Sequence, residues 1–435
     1  MIFKKSEHFY NKATQLISGG VNSNFRLSEP AVVPLFFEKA HGSYMWDVDG
    51  NQYIDYVMGL GPNLFGHGPK FIKDAVNKSM QKGFIYSAQH ELEISLAELA
   101  LKLVPLKNST IRFATSGTEI VQLAIRLIRS YTKKEKYIKF EGHYHGWADN
   151  VLFSNNPNLN QAGSNKSPIA VAGSSGMDKN LSRSIIICQW NDIDNINYLF
   201  KKHKGHIGGV IMEPIMGNSN AIMPLPGYLE HVKQLCAKEN ALLCFDEIIT
   251  GFRVAAGGAQ EMLNITPDLA TYAKSIAGGF PLSMLIGKKH IMDKIGKGDV
   301  VHGGSYNSNL MSISAAYAVL SEIDKHGSNF YKNLNGLGLY LMEELKNIAK
   351  RLNINLRVSG PGSFFSIYFS DKERILNWRD HARFVNHEKY NLFTKNMLLE
   401  KIRLSSIGRA HISASHTEDD INYTIKSAYK VLKKI

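Results

Sequence analysis

Cysteine is scarce in this chain and acidic residues are outnumbered. Three cysteines, Cys188, Cys236 and Cys244, are spread over 435 residues without a Cys-x-x-Cys pair. An odd count at such spacing excludes a disulfide framework and a cysteine zinc site. Cys188 and Cys244 lie in apolar runs that read as buried strands, so reduced core thiols of a cytoplasmic protein are expected. No apolar run approaches the roughly 20 residues that span a bilayer. The first residues, MIFKKSEHFYNKATQLISGG, lack an apolar core of the secretory type, so no signal peptide is expected. Internal repeats and low-complexity tracts are absent too, which excludes solenoids and disordered tails.

The shortage of acids leaves 51 Lys and Arg against 38 Asp and Glu, a net charge of +13. Such an excess raises the question of nucleic acid. The basic residues are scattered, in stretches such as KKHKGH and GKKHIMDKIGKGD, and no basic stripe is interleaved with stacking aromatics. A lysine-rich solvated surface is the reading, with an anionic substrate or cofactor as the alternative.

What is present is the texture of an α/β enzyme. In GSYMWDVDGNQYIDYV an Asp-Gly-Asn turn separates two alternating runs, a hairpin. Beyond residue 70, helical segments (FIKDAVNKSMQKG, ELEISLAELALKLV, TEIVQLAIRLIRSY) alternate with short apolar strands (IRFATSG, YIKFEG, SIIICQW, GGVIMEP, ALLCFDE). That alternation implies right-handed crossovers and a mostly parallel sheet. A long helical stretch, then FFSIYFS and a final helix, close the chain. Residues 71–315 are expected to form a large α/β domain, and 1–70 with 316–435 a small one built from both chain ends.

Several strands end in residues that carry chemistry. In TSGTE (115–119) a strand ends at a Gly and a helix begins, a site for a phosphate or an ordinary helix cap. EGHYHGW places Tyr144 at a second strand end, as a ring to stack on a flat ligand or as a core aromatic. EPIMGN supplies Glu213 and Asn218 at a third, and CFDE supplies Asp246 at a fourth. In open parallel sheets such ends converge on one crevice, where ligands bind. A buried carboxylate like Asp246 needs a partner to stay charged. Lys274, in YAKSIAGGFPLS, falls in a turn after strand-like residues, where a lone lysine is more often structural. Together these are the parts of a pyridoxal phosphate site: a Schiff-base lysine, an acid for the pyridine nitrogen and a phosphate pocket.

The chain resembles the class III (fold type I) pyridoxal phosphate-dependent aminotransferases, and among them the glutamate-1-semialdehyde 2,1-aminomutases. The resemblance runs almost end to end, through SGGVNSNFR, DVDGNQYIDY, GHGPK, TSGTE, HYHGWAD, EPIMGN, FDEIITGFR, PDLATYAKSIAGGFP and HTEDDI. It implies a large domain on a mostly parallel seven-stranded sheet and a homodimer with shared sites. It implies pyridoxal 5'-phosphate as cofactor, cycling through the pyridoxamine form. Lys274 then matches the aldimine lysine and Asp246 the partner of the pyridine nitrogen. Ile248 and Tyr144 match the residues on the ring faces, Asn218 a residue near the phenolic oxygen, and Glu213 a supporting acid. Gly117 and Thr118 match the phosphate cradle, and Ser305 a hydroxyl supplied by the neighbouring subunit. Arg26 matches a residue that meets the substrate carboxylate; the alternative is a structural salt bridge.

One departure stands out. Aminomutases carry Phe-Glu-Ala-Gly shortly before the final His-Thr, with the Glu in the active site, whereas here SSIGRAHISASHT places Gly408 and Arg409 there. Related transaminases of β-amino acids hold a carboxylate with an Arg in this region. The expectation is transamination between a glutamate-like amino donor and a keto or aldehyde acceptor. The aminomutase reaction and a homologue that has lost catalysis are the alternatives, and Arg409 as a surface or interface residue is the alternative to its substrate role.

Overall fold

The computed structural model describes residues 3–28, 31 and 33–435. The chain divides into two compact units, one comprising residues 1–70, 332–373 and 384–435, the other 71–331 and 374–383.

The first unit opens with β1 (Phe37–His41), β2 (Tyr44–Asp47) and β3 (Gln52–Asp55). β2 and β3 pair antiparallel across the Asp-Gly-Asn turn, with Tyr44 opposite Ile54, as the alternating runs predict. Asp47 closes this turn, its carboxylate accepting from the amides of Asp49 and Asn51 and from the Tyr53 hydroxyl at 2.6 Å.

The second unit holds β4 (Ser109–Ala114), β5 (Lys136–Phe140), β6 (Ile185–Cys188), β7 (Ile207–Met212), β8 (Leu242–Asp246), β9 (Leu269–Tyr272) and β10 (Ser283–Lys288). They form one seven-stranded sheet in the order β4-β10-β9-β8-β7-β5-β6. Every described pairing is parallel except those of β10, which runs antiparallel to both β4 and β9. The central strands are buried along their whole length, which is why they read as continuous apolar runs rather than alternating ones. The helix Gly117–Thr132 lays Ile120, Val121, Ala124, Leu127 and Ile128 on the sheet, each at most 1% exposed. At roughly 1.5–3 kcal/mol per buried large aliphatic side chain, this face is a main source of cohesion. Cys188 and Cys244 are buried in β6 and β8, and Cys236 in a helix; all three are free thiols.

A helix from Leu310 to Leu352 breaks at Gly327 (φ 58°, ψ −145°). Beyond it, in the first unit, β11 (Leu356–Ser359), β12 (Phe364–Phe369) and β14 (Arg409–His411) form a three-stranded antiparallel sheet. Between them in sequence, β13 (Ile402–Arg403) adds to β3 in parallel. The terminal helix Glu418–Leu432 starts with a capping box of Thr417 and Asp420.

Candidate functional site

The carboxyl ends of the parallel strands in the second unit surround a cavity of about 240 Å³. It is lined by Gly117 and Thr118 after β4, by Tyr144 after β5, by Glu213 and Asn218 after β7, by Asp246 and Ile248 at β8, and by Lys274 after β9. Eight predicted site residues, scattered over 158 positions of sequence, thus meet at one place.

Each owes its position to local structure. Ser116 caps the helix Gly117–Thr132 through a reciprocal capping box with Glu119, whose carboxylate accepts from the amides of Thr115 and Ser116. No described hydrogen bond takes up the amides of Gly117 or Thr118, so the first turn offers N–H groups and the positive helix end to an anion. Side chains are excluded there by contact: a Cβ on Gly117 would lie 2.8 Å from Ile248 Cδ1. Gly146 (φ 106°) brings the turn after Tyr144 so close to Thr118 that a Cβ would lie 2.6 Å from its hydroxyl.

Asp246 is 3% exposed. Its Oδ2 lies 2.6 Å from His145 Nδ1 and its Oδ1 accepts from the Ile248 amide at 3.1 Å. His145 was missed by sequence reasoning, although His-Tyr-His at a strand end is the visible trace of it. A histidine 101 positions from its carboxylate gives no local signal.

Glu213 is buried and acts as a hub. One oxygen accepts from the Tyr144 amide at 2.7 Å and Asn218 Nδ2 at 2.8 Å, the other from the Asn218 amide at 3.1 Å. Burial pushes its carboxyl above the usual range, against the pull of His145. The hydroxyl of Tyr144 is likewise pushed up, by burial first and then by Asp246. His143 accepts the Glu213 amide on Nδ1 at 3.0 Å, and burial drives its ring far below its ordinary value, so it is neutral with the proton on Nε2.

Lys274 opens a short 3₁₀ turn at φ 48°, in the left-handed region that non-glycine residues rarely occupy. Strain of this kind costs about 1–3 kcal/mol and is retained where the side chain's aim matters.

The other predicted residues lie elsewhere. Ser305 is exposed, in a turn of the second unit, and does not line this cavity. Arg26 is exposed in the short 3₁₀ segment Asn24–Ser28 of the first unit. Arg409, also in the first unit, is 4% exposed in β14, opposite Ser366, so it is not a surface residue. Trp147, Ile249 and Thr250 line the cavity without having been singled out by sequence.

Comparison with known proteins agrees with this architecture. The family described as Aminotransferase class-III matches residues 27–389. A relative named glutamate-1-semialdehyde 2,1-aminomutase, from Alkaliphilus oremlandii (strain OhILAs), is 37% identical over 441 aligned positions, 99% of each chain. Among solved structures, an omega-transaminase from Sphaerobacter thermophilus superposes with a TM-score of 0.91 at 25% identity, covering 98% of this chain and 97% of the other. The beta-phenylalanine aminotransferase from Variovorax paradoxus shares the fold, with a TM-score of 0.88 at 24% identity over 99% and 94%.

Proposed function

The chain belongs to the class III aminotransferases, and on that premise we propose that it is a pyridoxal phosphate-dependent transaminase working between a glutamate-like amino donor and a keto or aldehyde acceptor. The observation that carries the reading is the convergence of Lys274, Asp246, Tyr144 and the Gly117–Thr118 helix end on one cavity. These residues fit the cofactor: a basic amine, a buried carboxylate, a partly buried ring and an anion-binding turn are the groups it requires.

When bound, pyridoxal phosphate supplies an electron-poor ring that takes up the electron pair left when the amino donor loses its α-proton. Lys274 would hold the cofactor through its amine and would serve as the general base and acid that moves that proton. Asp246, oriented by His145, would hold the pyridine nitrogen and favour its protonated form. The amides of Gly117 and Thr118 would take the phosphate, and Tyr144 and Ile248 would flank the ring. Glu213 holds Asn218 and the Tyr144 amide, and Asn218 would serve the cofactor's phenolic oxygen.

Transamination is preferred to the aminomutase reaction because Gly408 and Arg409 occupy the place of the aminomutases' active-site acid. The 37% identity to a relative named as an aminomutase favours the second reading. Spectroscopy of the two half-reactions separates them. Glutamate alone should convert the yellow protein to its amine form, and a ketone or aldehyde acceptor should restore it. Conversion of glutamate-1-semialdehyde to 5-aminolevulinate with no second substrate would establish the aminomutase instead. In the same assay Arg409→Ala should weaken a carboxylated substrate roughly 30- to 3,000-fold, the cost of stranding one partner of a buried charge pair. An uncharged amine should react nearly as before; equal losses for both would remove Arg409 from substrate binding. Arg26 is assigned to the same substrate carboxylate.

We further propose a homodimer in which Ser305 completes the partner's phosphate site. Ser305 is exposed, and apolar side chains near it in sequence or on the same unit are exposed with it: Val301 at 73%, Tyr306 at 64% and Phe84 at 56%. Light scattering should give twice the 48.6 kDa chain mass. Mixing Lys274→Ala and Ser305→Ala chains should restore activity through one intact site, and a fully active monomer would overturn the assignment. No helix among the described residues is long and apolar enough to cross a membrane, and with three free thiols we place the protein in the cytoplasm.

A further inference from the structure

The turn that carries Tyr144 and His145 is tied down by a residue far along the chain. Glu141, directly after β5 and 1% exposed, meets Arg379 in a two-pronged ion pair. Arg379 Nε donates to one carboxylate oxygen and Nη2 to the other, both at 2.9 Å. The remaining donors are used as well. Nη2 reaches the Ala162 carbonyl at 3.1 Å, and Nη1 reaches the Gly163 carbonyl at 3.0 Å and Asn165 Oδ1 at 2.6 Å. Arg379 is itself only 5% exposed.

Arg379 belongs to residues 374–383, a ten-residue excursion whose flanking sequence, 332–373 and 384–435, is part of the other unit. Within the second unit this excursion docks by three further contacts. Trp378 donates its indole N–H to the Pro157 carbonyl at 3.0 Å, and Asn191 donates to the Leu376 carbonyl at 3.0 Å. Gly142 (φ 80°) presses on it so closely that a Cβ would lie 3.1 Å from Trp378 Cβ and 2.2 Å from Met216 Cε. From Glu141 onward, successive residues have distinct tasks. Gly142 makes the close approach, His143 takes the Glu213 amide, Tyr144 enters the cavity and His145 reaches Asp246.

We propose that Arg379 is a positioning residue for the cofactor pocket, acting through Glu141 to fix the turn that presents Tyr144 and His145. This rests on the pocket being the pyridoxal phosphate site. The physical reason is the fate of Glu141 without its partner. A buried carboxylate left unpaired must either neutralise or move toward water. Movement would pull the backbone at Gly142 away from Met216 and Trp378, and with it the two residues that follow His143. Lys139 in β5 binds the same turn, its amine donating to the carbonyls of His143 and Phe153. The turn therefore persists without Arg379 but loses its fixed aim.

The test compares wild type with Arg379→Lys, Arg379→Gln and the neutral pair Glu141→Gln/Arg379→Gln. Amide exchange is followed on protein dialysed free of cofactor, and pyridoxal phosphate is then titrated by absorbance and visible circular dichroism. Arg379→Gln should speed exchange at 142–147 while leaving β7 and β8 protected. It should weaken cofactor binding about 10- to 100-fold, by analogy with the loss on removing the outer hydrogen-bond partner of a metal ligand. The induced dichroism should shrink, and Arg379→Lys should recover part of both. The neutral pair strands no charge, so its melting temperature, affinity and dichroism should all return toward wild type. Wild-type affinity and dichroism in Arg379→Gln despite a lowered melting temperature would overturn the proposal, leaving the ion pair a matter of stability alone; so would a neutral pair that regained its melting temperature but not its affinity. Faster exchange throughout the unit, with no excess at 142–147, would overturn it too. If wild type itself bound no pyridoxal phosphate, the pocket reading would fall, while the exchange pattern would still decide whether Arg379 holds the turn.

Discussion

Lys274→Ala protein is expected to fold normally, to bind pyridoxal phosphate without covalent attachment, and to lose turnover by at least about 10³-fold. A positioned acid–base group contributes about 10²–10⁴-fold by itself, and this lysine also supplies the covalent anchor. Folding should survive because the side chain is only partly buried and sits at the cavity rather than in the core. Alanine inherits the same φ of 48° and hence the same backbone strain. Borohydride reduction followed by peptide mapping is the decisive measurement. In wild type the cofactor should be found on the peptide containing Lys274, and in the variant on none. Labelling of another lysine would remove Lys274 from its role.

Asp246→Asn is expected to cost about 10²- to 10³-fold in turnover, the size of effect seen when one preorganised group opposite developing charge is removed. The substitution preserves shape and the bond from the Ile248 amide. It removes the charge that favours a protonated pyridine, for which a nearby opposite charge is worth about 1–3 pKa units. It also breaks the 2.6 Å contact with His145 as a charge-assisted bond, since an amide nitrogen turned toward the ring competes with the proton on Nδ1. The melting temperature should change little, while the bound cofactor's absorbance should titrate at lower pH than in wild type. Near-normal turnover would show that the carboxylate is structural.

Much of the fold is legible locally. β6, with four buried residues, and β8, with five, are short unbroken apolar runs. The helix Gly117–Thr132 announces itself through Ser116, Glu119 and an apolar stripe at helical spacing. β10 was not legible in this way. Ser-Met-Leu-Ile-Gly-Lys follows Gly-Gly-Phe-Pro-Leu, and nothing local says that it runs against its neighbours. Strand direction is set by the path of the chain between elements, not by side-chain pattern.

For the site, the sequence determined which residue types stand at strand ends: the Gly-Thr helix start, the Tyr between two histidines, the Asp closing β8 and the Lys after β9. These are consequences of short-range spacing, where turn geometry and helix capping act over three or four residues. Only the tertiary structure decided which of these ends meet and what holds them. The pairing of His145 with Asp246 spans 101 positions and that of Glu141 with Arg379 spans 238. Neither partner has a periodicity that names the other. Such bonds are selected because a buried charge must find an opposite charge or a donor once the sheet has excluded water, and that exclusion exists only in the folded chain.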